Sequence, residues 1–249
     1  MRARRAVYVV MEHAEGGDLF KMVNARCAAR HAAPPPAAGA CSVVSSDEAR
    51  AVAFRALSAL AFLHGRGLWH RDVKLDNLLT TARVGAGDAR PFARHTGDPR
   101  SVKLADLGHA KATRAASESP TGGRGTAAYW APEQSRGEGA PPRGSDTDKT
   151  DVWALGVTLW ALMLQSYAFG TVPDSRAPNY HAELTALKQR IIGGAPQLTP
   201  QQATQLQRDY PPQATRLLER MLAYDPAARP TVAEALAHEW LAGAAEAEA

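Results

Sequence analysis

The stretch Leu68 to Leu79 reads Leu-Trp-His-Arg-Asp-Val-Lys-Leu-Asp-Asn-Leu-Leu and holds three side chains that could act together on a phosphate. Asp72 is a carboxylate able to accept or orient the proton of an attacking hydroxyl. Lys74, two residues on, is a point charge suited to phosphoryl oxygens on which charge builds. Asn77 offers an amide oxygen, a hard ligand for Mg²⁺. A second carboxylate, Asp106, follows the short run Lys103-Leu104-Ala105 and precedes Leu107-Gly108. Two acids, an amide and a lysine are the groups a metal and phosphate site uses. The types at His70, Arg71, Asp72, Lys74 and Asn77, at these spacings, arise by chance in such a chain with odds on the order of one in ten thousand. The plain alternative is a polar loop between two apolar segments.

Such a loop must be held by its neighbours. Val7 to Met11 is β-branched and aromatic enough to predict a strand. Gly16-Gly17 then turns the chain into Asp18-Leu19-Phe20, a helix start with Asp18 as its cap. His31 to Cys41 is rich in Ala, Pro and Gly and reads as a flexible insert. Ser45 and Glu48 form a capping box. The helix they open carries Ala49, Val52, Ala53, Ala56, Leu60 and Leu63 at three- and four-residue spacing, an inward apolar face that delivers the chain to His70. After Leu79, the segment from Ala82 to Arg100 is a long polar loop before Val102-Lys103-Leu104, so two short strands joined by an enlarged loop are predicted. Gly85-Ala86-Gly87 within it lacks the third glycine of a phosphate loop. Asp151 opens an apolar run, Val152 to Leu164, that falls short of the ~18 residues of a membrane span and reads as a buried helix. Thr231 and Glu234 form another capping box, before a last helix ending near Leu241.

Composition sets the class. With 249 residues, 45% hydrophobic and 22% charged, the chain suits a single globular domain. The net charge of +4 is too mild and scattered for nucleic acid. Cys27 and Cys41 lack metal-ligand spacing and read as free thiols in a reducing compartment, cytoplasmic or nuclear. The basic start is followed by an apolar segment that Glu12 interrupts, too short for a secretory signal. His64 and His70 have no cysteine or carboxylate nearby to complete a metal or nucleophilic site, and His70 reads as a packing residue behind Asp72. No Gly-x-Ser-x-Gly supports a hydrolase.

On these motifs, with Gly125-Thr126-Ala-Ala-Tyr129-Trp130-Ala131-Pro132-Glu133 and Asp225-Pro226-Ala-Ala-Arg229-Pro230-Thr231, the chain resembles the large lobe of a eukaryotic serine/threonine protein kinase. The resemblance covers roughly residues 7 to 241. It implies an α+β, kinase-like fold, mainly helical with short β-hairpins. Residues 1–11 would be the last strand of the small lobe and 12–17 the hinge. Residues 18–242 would be the large lobe, with inserts at 31–44 and 82–100, and 243–249 a disordered tail.

The same resemblance implies ATP and Mg²⁺ as cofactors and a protein carrying Ser or Thr as acceptor, with no nucleic acid or membrane partner. Asp72 would be the catalytic base, Lys74 the γ-phosphate contact, Asn77 a Mg²⁺ ligand and Asp106 the principal one. Met11 would be the gatekeeper. The backbones of Glu12 and Ala14 would bind adenine, with Leu79 also at the nucleotide and Asp18 near the ribose. Arg71 would pair with a phosphate on the activation segment, Asp106 to Glu133, whose polar middle holds Ser117, Ser119 and Thr121. The position most often phosphorylated in the family is here Gly122. Lys74 and Thr126 are the serine/threonine pattern. Asp151 would hold the catalytic loop's backbone, and Arg229 would pair with Glu133. Asp18 and Asp76 fall where basophilic members bind an arginine upstream of the acceptor, whereas the family's further acidic site falls at Ala161. Leu107 stands where phenylalanine is usual and would serve as an apolar plug.

No glycine-rich loop, strand lysine or helix glutamate of a small lobe is present, and the first lysine is Lys21, beyond the hinge. The expectation is an incomplete version of an active kinase that phosphorylates poorly by itself. The alternative is a catalytically inactive, kinase-like interaction module.

Overall fold

The computed structural model describes residues 8–32, 43–81, 102–112, 125–136 and 146–242. Of the strand predicted at Val7 to Met11, the described part does not form: residues 8–14 have no regular structure, and Tyr8, Val9, Val10 and Met11 are exposed. β propensity becomes a strand only where backbone groups meet a second edge, and among the described residues none lies alongside them.

Pairing begins at β1 (Gly17–Asp18). α1 (Leu19–Ala32) follows, with Asp18 Oδ1 accepting the Lys21 N–H at 2.8 Å as its cap. The insert expected at 31–44 is shorter at both ends. His31 and Ala32 are still helical, and Val44 is fully buried, its carbonyl accepting the Tyr210 hydroxyl at 2.7 Å. α2 (Ser46–His64) opens with the predicted capping box, Ser45 N–H to Glu48 Oε2 at 2.8 Å and Glu48 N–H to Ser45 Oγ at 3.3 Å. Its six predicted inward residues are buried.

From α2 the chain enters β2 (Leu68–Trp69), a loop, a 3₁₀ turn over Leu75–Asn77 and β3 (Leu78–Thr80). β4 (Val102–Leu104) pairs antiparallel with β3, and β1 takes the other edge, giving the order β1-β3-β4. β5 (Lys111–Ala112) pairs with β2. The remainder is helical: α3 (Pro132–Ser135), α4 (Asp146–Leu164), α5 (Tyr180–Ile192), α6 (Pro200–Asp209), α7 (Pro212–Met221) and α8 (Val232–Leu236). The last helix stops at Leu236, short of the expected Leu241, and turns carry Trp240 and Leu241 into the core.

α4 is the axis. Every residue from Asp151 to Leu164 is buried, as a helix apolar on all sides requires, with α2, α6 and α7 packed around it. The helix includes Asp146, so Asp151 lies within it and does not open it. At Gly156 a Cβ would meet Leu222 Cδ2 at 3.0 Å and Met221 Cβ at 3.1 Å, so glycine permits the close approach of α7. Short paired strands beside a mainly helical body make the fold α+β.

Candidate active site

Asp151 anchors the loop that carries the candidate chemistry. Its Oδ2 accepts the His70 N–H at 2.9 Å and its Oδ1 the Arg71 N–H at 2.8 Å. Both backbone donors are thereby satisfied, which holds Arg71 at φ 68, in the left-handed region. His64 Nε2 lies 2.8 Å from the same Oδ2. The sequence reading that His64 had no carboxylate partner is therefore corrected. The two residues are far apart in the chain, and α2 and α4 must pack before they meet.

His70 is fully buried. Its Nδ1 accepts the Asp72 N–H at 3.3 Å, so its Nε2 carries the proton donated to Ala105 O at 2.9 Å. The imidazole thus ties the loop to the backbone just before Asp106. It packs behind Asp72, but through hydrogen bonds that the sequence reading lacked.

Around Asp72 the side chains converge. Lys74 Nζ donates to Asp72 Oδ2 at 2.7 Å and to Thr126 Oγ1 at 2.8 Å. Asp72 Oδ1 accepts the Thr126 N–H at 3.0 Å, with the Thr126 hydroxyl 3.3 Å away. Asn77 Nδ2 donates to Asp72 O at 2.7 Å and Oδ2 at 3.1 Å, which orients the amide and leaves its oxygen as the remaining ligand atom. Thr126 comes this close because residue 125 is glycine. A Cβ there would sit 2.8 Å from Arg71 O, at a φ of +91° that side chains rarely adopt.

Burial by itself pushes the Asp72 carboxyl up, but Lys74's hydrogen bond and charge, the Thr126 N–H and the Asn77 amide outweigh it and hold the pKa below the ordinary 3.8. Asp72 is thus ionised at neutral pH. Because the folded value is the lower one, the carboxylate's contribution to stability is fully present above 3.8 and is lost as pH falls through the folded value. Denaturant titrations should therefore show wild type losing stability more steeply than Asp72→Asn below about pH 4, with parallel curves above pH 5. Parallel curves throughout would refute the assignment of this shift to Asp72.

Asp106 lies at φ 64 and ψ 77, its Oδ1 accepting the Gly108 N–H at 3.0 Å. The Ala105 N–H to Asn77 O bond of 2.8 Å joins its strand to the loop. The exposed Asp106 carboxylate and the Asn77 amide oxygen form an all-oxygen pair, the hard donor set that Mg²⁺ takes with water and phosphate oxygens, so the residues present fit that ion. Leu107 plugs nothing: it is 54% exposed because no described residue covers that side.

Of the other candidate residues, Met11 and Glu12 are exposed, and Glu12 pairs with Lys103. Ala14 O accepts the Gly17 N–H at 3.2 Å within the turn. Leu79 is half-buried in the central strand, opposite Asp18 and Lys103. Asp76 is exposed. Asp18 caps α1 as expected, and its Oδ2 lies 2.9 Å from Lys21 Nζ. Glu133 and Arg229 meet as a bidentate pair at 2.6 and 2.9 Å. Ser117, Ser119, Thr121 and Gly122 lie outside the described residues, as do the segment 82–100 and the tail 243–249. Besides His64, the sequence reading missed Lys103 and Lys21. Lys103 carries no local signal, since its partner lies in the distant segment before β1, whereas the three-residue spacing of Lys21 from Asp18 on one helix is a local signal.

On this α+β frame an ionised carboxylate is clasped by a lysine and a threonine, next to the Asn77 and Asp106 oxygens. The family model described as Protein kinase domain matches residues 1–241, and the chain belongs to that family. It is 31% identical over 233 residues to the serine/threonine-protein kinase SAPK3 of Oryza sativa subsp. indica, covering 93% of this chain and 55% of that protein. It is 32% identical over 251 residues to the serine/threonine-protein kinase PKZ1 of Phytophthora infestans, covering 98% and 53%. The chain therefore spans about half the length of these relatives. Its fold matches the crystal structure of Rad53 kinase domain and SCD2 with a TM-score of 0.59 at 24% identity, over 93% of this chain and 66% of that one. Among the described residues, no helix is long and apolar enough to cross a membrane.

Proposed function

We propose that this chain carries the catalytic loop of a protein serine/threonine kinase, which transfers the γ-phosphate of ATP to a Ser or Thr hydroxyl of a protein substrate. The observation that carries this reading is the Asp72 carboxylate held by Lys74, Thr126 and Asn77. Asp72 orients the acceptor hydroxyl and takes its proton as the new oxygen–phosphorus bond forms and the bond to the departing ADP breaks. With a depressed pKa it is a weak base, so orientation is its larger part. Lys74 supplies a positive charge next to the carboxylate, where the phosphoryl oxygens develop theirs. Asn77 and Asp106 would hold Mg²⁺, which neutralises phosphate charge when bound.

Asp76, exposed on the 3₁₀ turn, favours an arginine upstream of the acceptor, and with Asp18 engaged by Lys21 the preference rests on Asp76. Ala161 is buried in α4 and offers no further upstream contact. Arg71 remains the residue to receive a phosphate from the activation segment. The reading places the chain in a reducing compartment, cytoplasm or nucleus, with Cys27 a free thiol.

A positional peptide library with γ-labelled ATP and Mg²⁺ tests the proposal. The expected products are phosphoserine and phosphothreonine, formed slowly by this chain alone, with an upstream arginine preference that Asp76→Ala weakens. Mainly phosphotyrosine, or no transfer and no ATP binding, would overturn the proposal.

A further inference from the structure

From Asp151 to Leu164 the axis helix α4 carries two side chains with an oxygen, Asp151 and Thr158, and both are buried among apolar neighbours. They lie about two helical turns apart and so share one face. That face meets the loop that bears Asp72. Asp151 takes the His70 and Arg71 N–H groups, just ahead of Asp72. Thr158 Oγ1 lies 3.4 Å from the Val73 carbonyl oxygen, just after it. Thr158 and Val73 are both fully buried, so solvent does not reach that carbonyl.

The hydroxyl also approaches the Ala154 carbonyl of its own helix, at 2.7 Å, a back-bond that threonines in helices make. That carbonyl already accepts the Thr158 N–H within the helix, whereas among the described residues the Thr158 hydroxyl is the donor that reaches Val73 O. A buried carbonyl left without a donor is costly, so the shared proton matters more to the loop than to the helix. Val73 O belongs to the peptide that leads into Lys74, whose backbone is extended at φ −162 and ψ 168. Turning that peptide would swing the lysine away from Asp72 Oδ2 and Thr126 Oγ1, its partners at 2.7 and 2.8 Å. We propose that Thr158 is a positioning residue for phosphotransfer, acting through the Val73 carbonyl to aim Lys74 at Asp72. This rests on the reading of the loop as a kinase loop. Asp151 then fixes the backbone ahead of Asp72, and Thr158 the backbone behind it.

Phosphotransfer by the intact chain, from Mg²⁺-ATP to a serine peptide with an upstream arginine, tests it beside melting curves. Thr158→Val keeps the shape and removes the hydroxyl. It is expected to lower kcat about two- to tenfold, the loss of one hydrogen bond, with KM for ATP within about twofold of wild type. Thr158→Ser restores the hydroxyl and loses a buried methyl, so it should melt below wild type yet keep kcat within about twofold. Equal kcat in wild type and Thr158→Val would overturn this proposal and leave the kinase reading intact. A serine variant as slow as the valine variant would also overturn it, by assigning the effect to packing. If Thr158→Val does not fold, the serine variant decides: full kcat at a lowered melting midpoint supports the hydroxyl's role, and a kcat that falls with the midpoint overturns it. If wild type transfers no phosphate, the reading of the site falls and this proposal falls with it.

Discussion

Asp72→Asn is expected to lower the phosphotransfer rate by about 10²–10⁴-fold, the range for loss of a positioned acid–base group, with ATP binding changed little and the thermal midpoint lowered by a few degrees through loss of the carboxylate's stabilising contribution. Asparagine keeps one acceptor oxygen for the Thr126 N–H. It also puts an amide N–H₂ where Lys74 and the Asn77 amide now donate, so the negative charge and the acceptor for the incoming hydroxyl's proton disappear together. The check is a rate measurement alongside a nucleotide titration and a melting curve. Rates within tenfold of wild type would refute the role given to Asp72. A rate lost together with ATP binding and the melting transition would mean that the substitution had disrupted the loop. Thr126→Val offers an independent reading: it removes the hydroxyl 2.8 Å from Lys74 Nζ while keeping the backbone N–H, so its effect should be the smaller of the two.

The largest loss of stability is expected from Glu133→Ala. Arg229 is 1% exposed, and besides its bidentate bond to Glu133 its Nε donates to Ala223 O at 2.8 Å. Its Nη2 donates to Tyr224 O at 3.1 Å, and the guanidinium lies over Trp153 at 4.7 Å from the ring centre. Without Glu133 a buried cation keeps carbonyl acceptors but no counter-charge, which costs about 3–5 kcal/mol. For a domain of this size that lowers the melting midpoint by roughly 6–20 °C. Glu133→Gln keeps one acceptor oxygen and should cost less. The double variant Glu133→Leu/Arg229→Met should be more stable than Glu133→Ala, because it removes the orphaned charge. Denaturant unfolding of the four proteins decides the matter, and a Glu133→Ala midpoint equal to wild type would dismiss the pair as a stabilising element.

Much of this protein was legible wherever the determining contacts are local in the chain. The capping boxes at Ser45 and Thr231 formed because donor and acceptor lie three residues apart, whatever surrounds them. The run Val152 to Leu164 could only be a buried helix, since apolar residues on every side leave no face for water. Asp72, Lys74 and Asn77 converge because one short loop and a 3₁₀ turn bring them together. Tertiary structure decided what joins distant segments. Asp151 takes its ring partner, His64, and its backbone partners, His70 and Arg71, only after α2 and α4 pack. Lys103 finds Glu12 only across the face of a sheet. Residues 8–11 have strand composition and no strand, because a helix satisfies its own backbone hydrogen bonds whereas a strand borrows them from a neighbour that composition cannot supply.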